Sequence, residues 1–328
     1  MIKIFPLLNF FRPNRVLTYP PHQDEELLIE EYFFNYIKNT KRKKKFKKNI
    51  YYIPIFWTNY FNKQNYGKNI RLLKILILFF NLFTYRLKKF TVVQFGGGVK
   101  LPIDNTLIFA SAGSSFLSKT TGYFSSDIGL NSTYIPIPLV SKKHNFNPVY
   151  NKIFKASFIG RPTHSIRDEL VEKLSGIKEY KVELNEDYEN IEKFEFLLEN
   201  SIFSLCPRGT SPASFRLYEA LEAGSIPIYI SDEFWLPFKN KIDWSEICIF
   251  IKPSEIDKIP NRIDSIINNS DHFLMAKKGQ ETYQQFFNLD AICDEIISQL
   301  EYEMENDTLI NKKEKKFTFL EQLNRVRN

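Results

Sequence analysis

The chain has 328 residues, 43% hydrophobic and 25% charged, enough for two domains that each bury a core; disordered tails, collagen-like repeats and disulfide-stapled miniproteins are excluded. Its formal net charge of +7 equals the seven basic groups in the run Lys41-Arg42-Lys43-Lys44-Lys45-Phe46-Lys47-Lys48, so the basic balance belongs to one segment and not to a whole face. The three cysteines, Cys206, Cys248 and Cys293, are odd in number and widely spaced, which fits a reducing compartment better than a disulfide framework.

Residues 1–11 carry Lys3 and Pro6 and no small-residue cleavage site, so no signal peptide is expected. Strands are predicted at 15–19, 50–57, 90–95, 106–110 and 134–137, where β-branched and aromatic residues run up to turn residues. Helical patterns over 25–39 and 68–89 separate them, the alternation of a parallel α/β sheet. The most apolar stretch, Leu72 to Phe83, spans 12 residues and includes Lys74 and Asn81, which makes it too short for a bilayer crossing and predicts a buried helix. A polar stretch at 141–155 marks a boundary, giving domains over 1–150 and 151–300 and a charged tail over 301–328. The second domain reads as strand 156–159, helix 165–174, strand 180–184, helix 190–199, strand 202–206, helix 212–223 and strand 226–230, a second doubly wound unit.

The chemistry concentrates in residues 201–238. Ser211 before Pro212 predicts an N-cap with proline at the first helical position, and Gly224 supplies the left-handed residue that closes a helix. A helix start at the carboxyl end of a parallel sheet, with free N–H groups and a positive dipole, favours a diphosphate. Arg208 in the loop, with Ser214, Arg216 and Glu219 in the first turns, would complete a nucleoside diphosphate site: guanidinium groups suit phosphate oxygens, and a carboxylate accepts from ribose hydroxyls. The same spacing also allows an ordinary surface ion pair between Arg216 and Glu219 beside a solvated Arg208.

The run Cys206-Pro-Arg-Gly, Ser214-Phe-Arg-Leu-Tyr-Glu-Ala-Leu-Glu-Ala-Gly-Ser-Ile-Pro-Ile, Ser231-Asp and Leu236-Pro-Phe238 closely resembles the signature of the exostosin family of glycosyltransferases. Phe158-Ile-Gly-Arg161 with Arg167 resembles that family's strand-then-arginine loop, and the likeness covers roughly residues 150 to 290. It implies an α/β protein with two Rossmann-like domains facing a cleft, the GT-B architecture, with residues 1–150 on the acceptor side and 151–300 holding a nucleotide sugar. It also implies transfer with inversion, no metal cofactor, and donor contacts from Arg161, Arg167, Arg208, Ser214, Arg216 and Glu219. The expected donor is a UDP-sugar, with a GDP-sugar as the alternative, and the acceptor a glycan or glycolipid, as in surface polysaccharide. A catalytically silent sugar- or membrane-binding protein on the same scaffold is the other reading.

Inversion needs a base for the acceptor hydroxyl, and the loop after the first predicted strand offers His22 and Asp24, although Asp24 also suits the first turn of the next helix. Gly96-Gly-Gly98 and Ser111-Ala-Gly-Ser-Ser115 are candidate loops without phosphate motifs; no G-x-G-x-x-G, P-loop or D-x-D triplet occurs, and the histidines are too scattered for a metal site. Cys206 is expected to be a small buried hydrophobe and His164 a satisfied surface residue. Lys41–Lys48 would suit an anionic membrane surface, whereas specific nucleic-acid binding is not expected. Together these features predict a cytoplasmic protein, peripheral at most, without a transmembrane helix.

Overall fold

The computed structural model describes residues 1–6, 9–14, 28–39, 49–99, 101–112, 132–141, 144, 146–147, 151–185, 191–269 and 271–306. The chain divides into two units, Met1–Ile137 with Ile292–Asn328, and Pro138–Ala291. The boundary therefore falls before the polar stretch at 141–155, and the C-terminal segment returns to the first unit. One cause of the return is visible in the last described helix, Leu289–Glu305: Ile292, Cys293, Ile296 and Leu300 are fully buried, and Asp294 accepts from the Tyr36 hydroxyl at 2.7 Å.

The first unit contains β1 (Ile2–Ile4), α1 (Ile29–Asn39), β2 (Ile50–Tyr52), α2 (Trp57–Lys63), α3 (Arg71–Thr84), β3 (Lys89–Val93), β4 (Thr106–Ala110) and β5 (Thr133–Pro136). The five strands pair in chain order and all run parallel. Every residue of β3 and β4 is buried, as in a central strand covered on both faces. The predicted strand at 15–19 lies outside the described residues, and the short Ile2–Ile4 strand forms the sheet edge. The run at 50–57 is shorter than expected: Pro54 has no N–H to extend the ladder, and Trp57 opens α2. The apolar helix is only half buried. Leu73, Ile77, Leu78, Asn81 and Thr84 of α3 face inward, but Leu72, Ile75, Leu76, Phe79 and Phe83 stay exposed.

A buried carboxylate ties the starts of α1 and α2 to the end of β3. Glu30 is fully buried and accepts from the Thr58 N–H at 3.0 Å, the Thr58 hydroxyl at 2.8 Å and the Gln94 N–H at 2.8 Å. Burial pushes its carboxyl up to about 8, against the pull of the hydrogen bonds from Gln94 and Thr58.

The second unit contains β6 (Phe154–Gly160), α4 (Ser165–Leu174), β7 (Tyr180–Leu184), α5 (Ile191–Asn200), β8 (Ser201–Pro207), α6 (Phe215–Glu222), β9 (Ile226–Ile230), β10 (Ile249–Ile251), α7 (Ile259–Asn268) and α8 (Asp271–Phe286); α9 (Leu289–Glu305) follows. Its sheet is also all parallel, in the order β10-β9-β8-β6-β7. The chain passes from β6 outward to β7 and then returns to the other side of β6 as β8. The winding thus reverses between β6 and β8, and open α/β sheets bind ligands outside the carboxyl ends at such a point. The three-residue β10 was too short to leave a sequence pattern.

Replacing Glu30 by Ala leaves two backbone N–H groups and a hydroxyl buried without an acceptor. Each such group costs about 1–3 kcal/mol, so urea unfolding of the Glu30→Ala protein should show a loss of at least about 2 kcal/mol.

Candidate functional site

The predicted donor-side residues gather at the carboxyl ends of β6 and β8, but they divide into two groups with different surroundings. The first is structural. Arg167, in the first turn of α4, donates from Nη1 to the Arg161 carbonyl at 2.9 Å, from Nε to the Arg208 carbonyl at 3.1 Å and from Nη2 to the Pro207 carbonyl at 3.4 Å. One planar guanidinium thereby ties the loop after β6 to the loop after β8. Gly209 allows this closeness, since a Cβ there would stand 3.3 Å from Arg167 Nη2 and from Thr163 Oγ1.

Arg208 is not a solvated loop residue. It is 1% exposed, its Nη1 pairs with Asp232 just beyond β9, and its backbone N–H donates to the Ile230 carbonyl at 2.9 Å. Arg161 is exposed at the rim, and its carbonyl is the part of it that Arg167 holds. His164 caps α4, its Nδ1 accepting from the Ile166 N–H at 3.2 Å, and burial together with Arg208 and Arg167 holds its pKa below the ordinary value.

The second group lies on α6. The helix starts at Phe215 with Ser214 at the N-cap, three residues later than the expected Ser211 start. The Pro212 carbonyl is occupied by the Tyr229 hydroxyl at 2.6 Å, and Ser214 has extended backbone angles, so the helix begins only after it. Gly224, at φ +66°, closes the helix as expected.

Arg216 and Glu219 do not form a surface pair. The Arg216 guanidinium is buried between two rings, 4.7 Å from the centroid of Phe158 and 5.2 Å from that of Phe194, and its Nη2 donates to the Ile159 carbonyl of β6. Its Nη1 is buried with no hydrogen-bond partner among the described residues. A guanidinium held in place with one N–H unpaired is a strong donor for any anionic oxygen that reaches it.

One turn further along α6, Glu219 faces a residue that the sequence did not single out. His144 Nε2 lies 3.7 Å from the Glu219 carboxylate, and Nδ1 is 2.7 Å from Glu195 of α5. The imidazole is stacked on Phe146 and tilted against Phe194. Burial alone would lower its pKa, yet the carboxylates of Glu219, Glu195 and Glu222 outweigh that and raise it to about 9. His144 had no local signal: it is a lone histidine in a polar stretch, placed only by the packing of α5 and α6.

Cys206 is fully buried and its thiol is pushed up by burial, so it is the inert hydrophobe expected. Among the described residues no group of three or more His, Cys, Asp and Glu side chains could hold a metal ion. In the first unit, Gly96-Gly-Gly98 follows β3, with Gly98 at φ +63°; of the serine-rich loop only Ser111 and Ala112 are described, and His22, Asp24 and Lys41–Lys48 lie outside the described residues.

Residues 105–266 match the profile of the exostosin GT47 domain. Among proteins similar to this chain, Exostosin-1 of Drosophila melanogaster is 36% identical over 103 residues, 31% of this chain and 13% of that protein. A probable glucuronosyltransferase of Oryza sativa subsp. japonica is 42% identical over 69 residues, 21% of this chain and 17% of that protein. The matched segments thus span less than a fifth of the length of these relatives. Among solved structures, Anabaena HepE in complex with UDP aligns at a TM-score of 0.42 and 10% identity, covering 84% of this chain and 96% of that one.

His144 makes stability depend on pH. Its folded pKa of about 9 lies above the ordinary 6.5, so the stabilisation is complete below about pH 6.5 and is lost as pH rises through 9. Urea midpoints measured from pH 6 to 10 should fall across that window in the natural protein, and the fall should flatten in His144→Gln.

Proposed function

We propose that this chain, a member of the exostosin family of glycosyltransferases, transfers a sugar from a nucleotide diphosphate sugar to a glycan or glycoconjugate acceptor. The observation that carries the reading is the half-buried Arg216 with its Nη1 buried and unpaired among the described residues, one helical turn from Glu219 and beside the winding reversal of the second sheet. The diphosphate lies along the start of α6. Arg216 meets a phosphate oxygen there, and Glu219 accepts from ribose hydroxyls. Arg208 and Arg167 act mainly by holding the loops in place, since their donors already serve Asp232 and backbone carbonyls.

UDP is the nucleotide proposed. As the glycosidic bond to the donor phosphate breaks, negative charge grows on the leaving diphosphate, and a preorganised guanidinium is more strongly attracted to it then than in the ground state. This is the role assigned to Arg216, in a reaction that proceeds with inversion and without a metal cofactor. The acceptor hydroxyl loses its proton to His22 or Asp24.

Thermal unfolding with UDP, GDP, ADP and CMP tests the donor site. UDP at about 100 times its dissociation constant should add about 2.7 kcal/mol, and Arg216→Ala and Glu219→Gln should remove the shift. No shift with any nucleotide would favour a silent scaffold, and a shift with GDP alone would replace the donor. For the base, His22→Ala or Asp24→Ala should lower turnover about 10²–10⁴-fold in a UDP-release assay; retention by both within about tenfold rejects the assignment.

A further inference from the structure

The outer face of α3 takes no part in the proposed donor site, and its composition is unusual. Leu72, Ile75, Leu76, Phe79 and Phe83 are 54%, 53%, 38%, 44% and 82% exposed. At about 100° per residue they fall within one arc about 100° wide, a continuous apolar stripe along a helix whose opposite side is anchored in the core. Natural surfaces rarely leave such a stripe bare unless something covers it.

The charge around the stripe indicates what covers it. From Tyr32 to Ile103 the chain contains no Asp or Glu. Lys68 and Arg71 stand exposed at the start of α3 and Arg86 just beyond its end, so the stripe is bracketed by cations at both ends. Contact with a second copy through the same face would bring two such cation sets together. A surface that is apolar within and anionic at its rim fits both features at once.

We propose that the exposed face of α3 docks the protein on an anionic lipid bilayer. The five apolar side chains enter the boundary between headgroups and acyl chains, and Lys68, Arg71 and Arg86 meet the lipid phosphates. The helix lies in the plane of the membrane: no described helix is long and apolar enough to cross it. The site differs from the Lys41–Lys48 run and does not depend on the donor reading, though it would bring the chain to a lipid-linked acceptor.

Sedimentation with phosphatidylcholine vesicles, with and without phosphatidylserine, tests this on the full chain. The natural protein should pellet with the anionic vesicles. The double variant Phe79→Ser, Phe83→Ser should bind at least about tenfold more weakly, since each buried apolar side chain contributes separately. Both substituted residues are exposed, and an unchanged thermal midpoint would show that the variant folds. Lys68→Gln with Arg71→Gln should weaken binding to anionic vesicles and reduce its salt dependence. Three results would overturn the proposal: no pelleting of the natural protein with either vesicle, unchanged binding of the double Phe variant, or a dimer in solution that the double Phe variant converts to monomer. UDP binding measured on the same variants should stay unchanged, so failure here is distinguishable from failure of the donor site.

Discussion

Three backbone carbonyls at the carboxyl edge of the second sheet, those of Arg161, Pro207 and Arg208, converge on the single guanidinium of Arg167. Chain segments leaving a parallel sheet carry carbonyl groups that no neighbouring strand can satisfy, and Arg167 meets that demand for two adjacent loops together. The rest of the site follows from this constraint. With the loop after β8 drawn against the loop after β6, Arg208 is buried against Asp232, and α6 starts where Arg216 can reach the Ile159 carbonyl.

Arg216 then sits in a setting that a surface arginine lacks. Rings on β6 and α5 flank it, Nη2 is bound to the sheet, and Nη1 is buried without a partner among the described residues. Its charge is balanced within one unit by a compact set of groups: the Glu219 carboxylate follows on the same helix, and His144 stands between Glu219 and Glu195. The imidazole contributes to the geometry of the site, because it stands within 2.7 Å of the Glu195 carboxylate and 3.7 Å of the Glu219 carboxylate and so links α5 to α6.

The first unit manages its polar groups differently. Glu30, in the first turn of α1, is the acceptor for the start of α2 and for the residue that follows β3, a single buried carboxylate that serves three donors. Beyond Glu31 no acid appears until Asp104, and within that span α3 turns one apolar face to the core and a second to solvent. An apolar helix in sequence is thus not the same as a buried helix in structure.

Much of this was legible in the sequence. Strand 106–110, helix 165–174 and strands 180–184 and 226–230 stand where periodicity and turn residues put them, and the 201–238 segment disclosed its strand, loop and helix with Gly224 as the stop. Local rules suffice where each residue's environment is set by its near neighbours. They misplaced the start of α6, because the Pro212 carbonyl is taken by Tyr229, a residue 17 positions away. They could not distinguish an Arg216 held between two rings from a surface ion pair, did not find His144, and read the apolar stretch of α3 as a buried helix. Each of these depends on which distant side chains share a volume, and that is fixed only when helices pack on a sheet, since burial, pairing and pKa are properties of the surroundings and not of the residue.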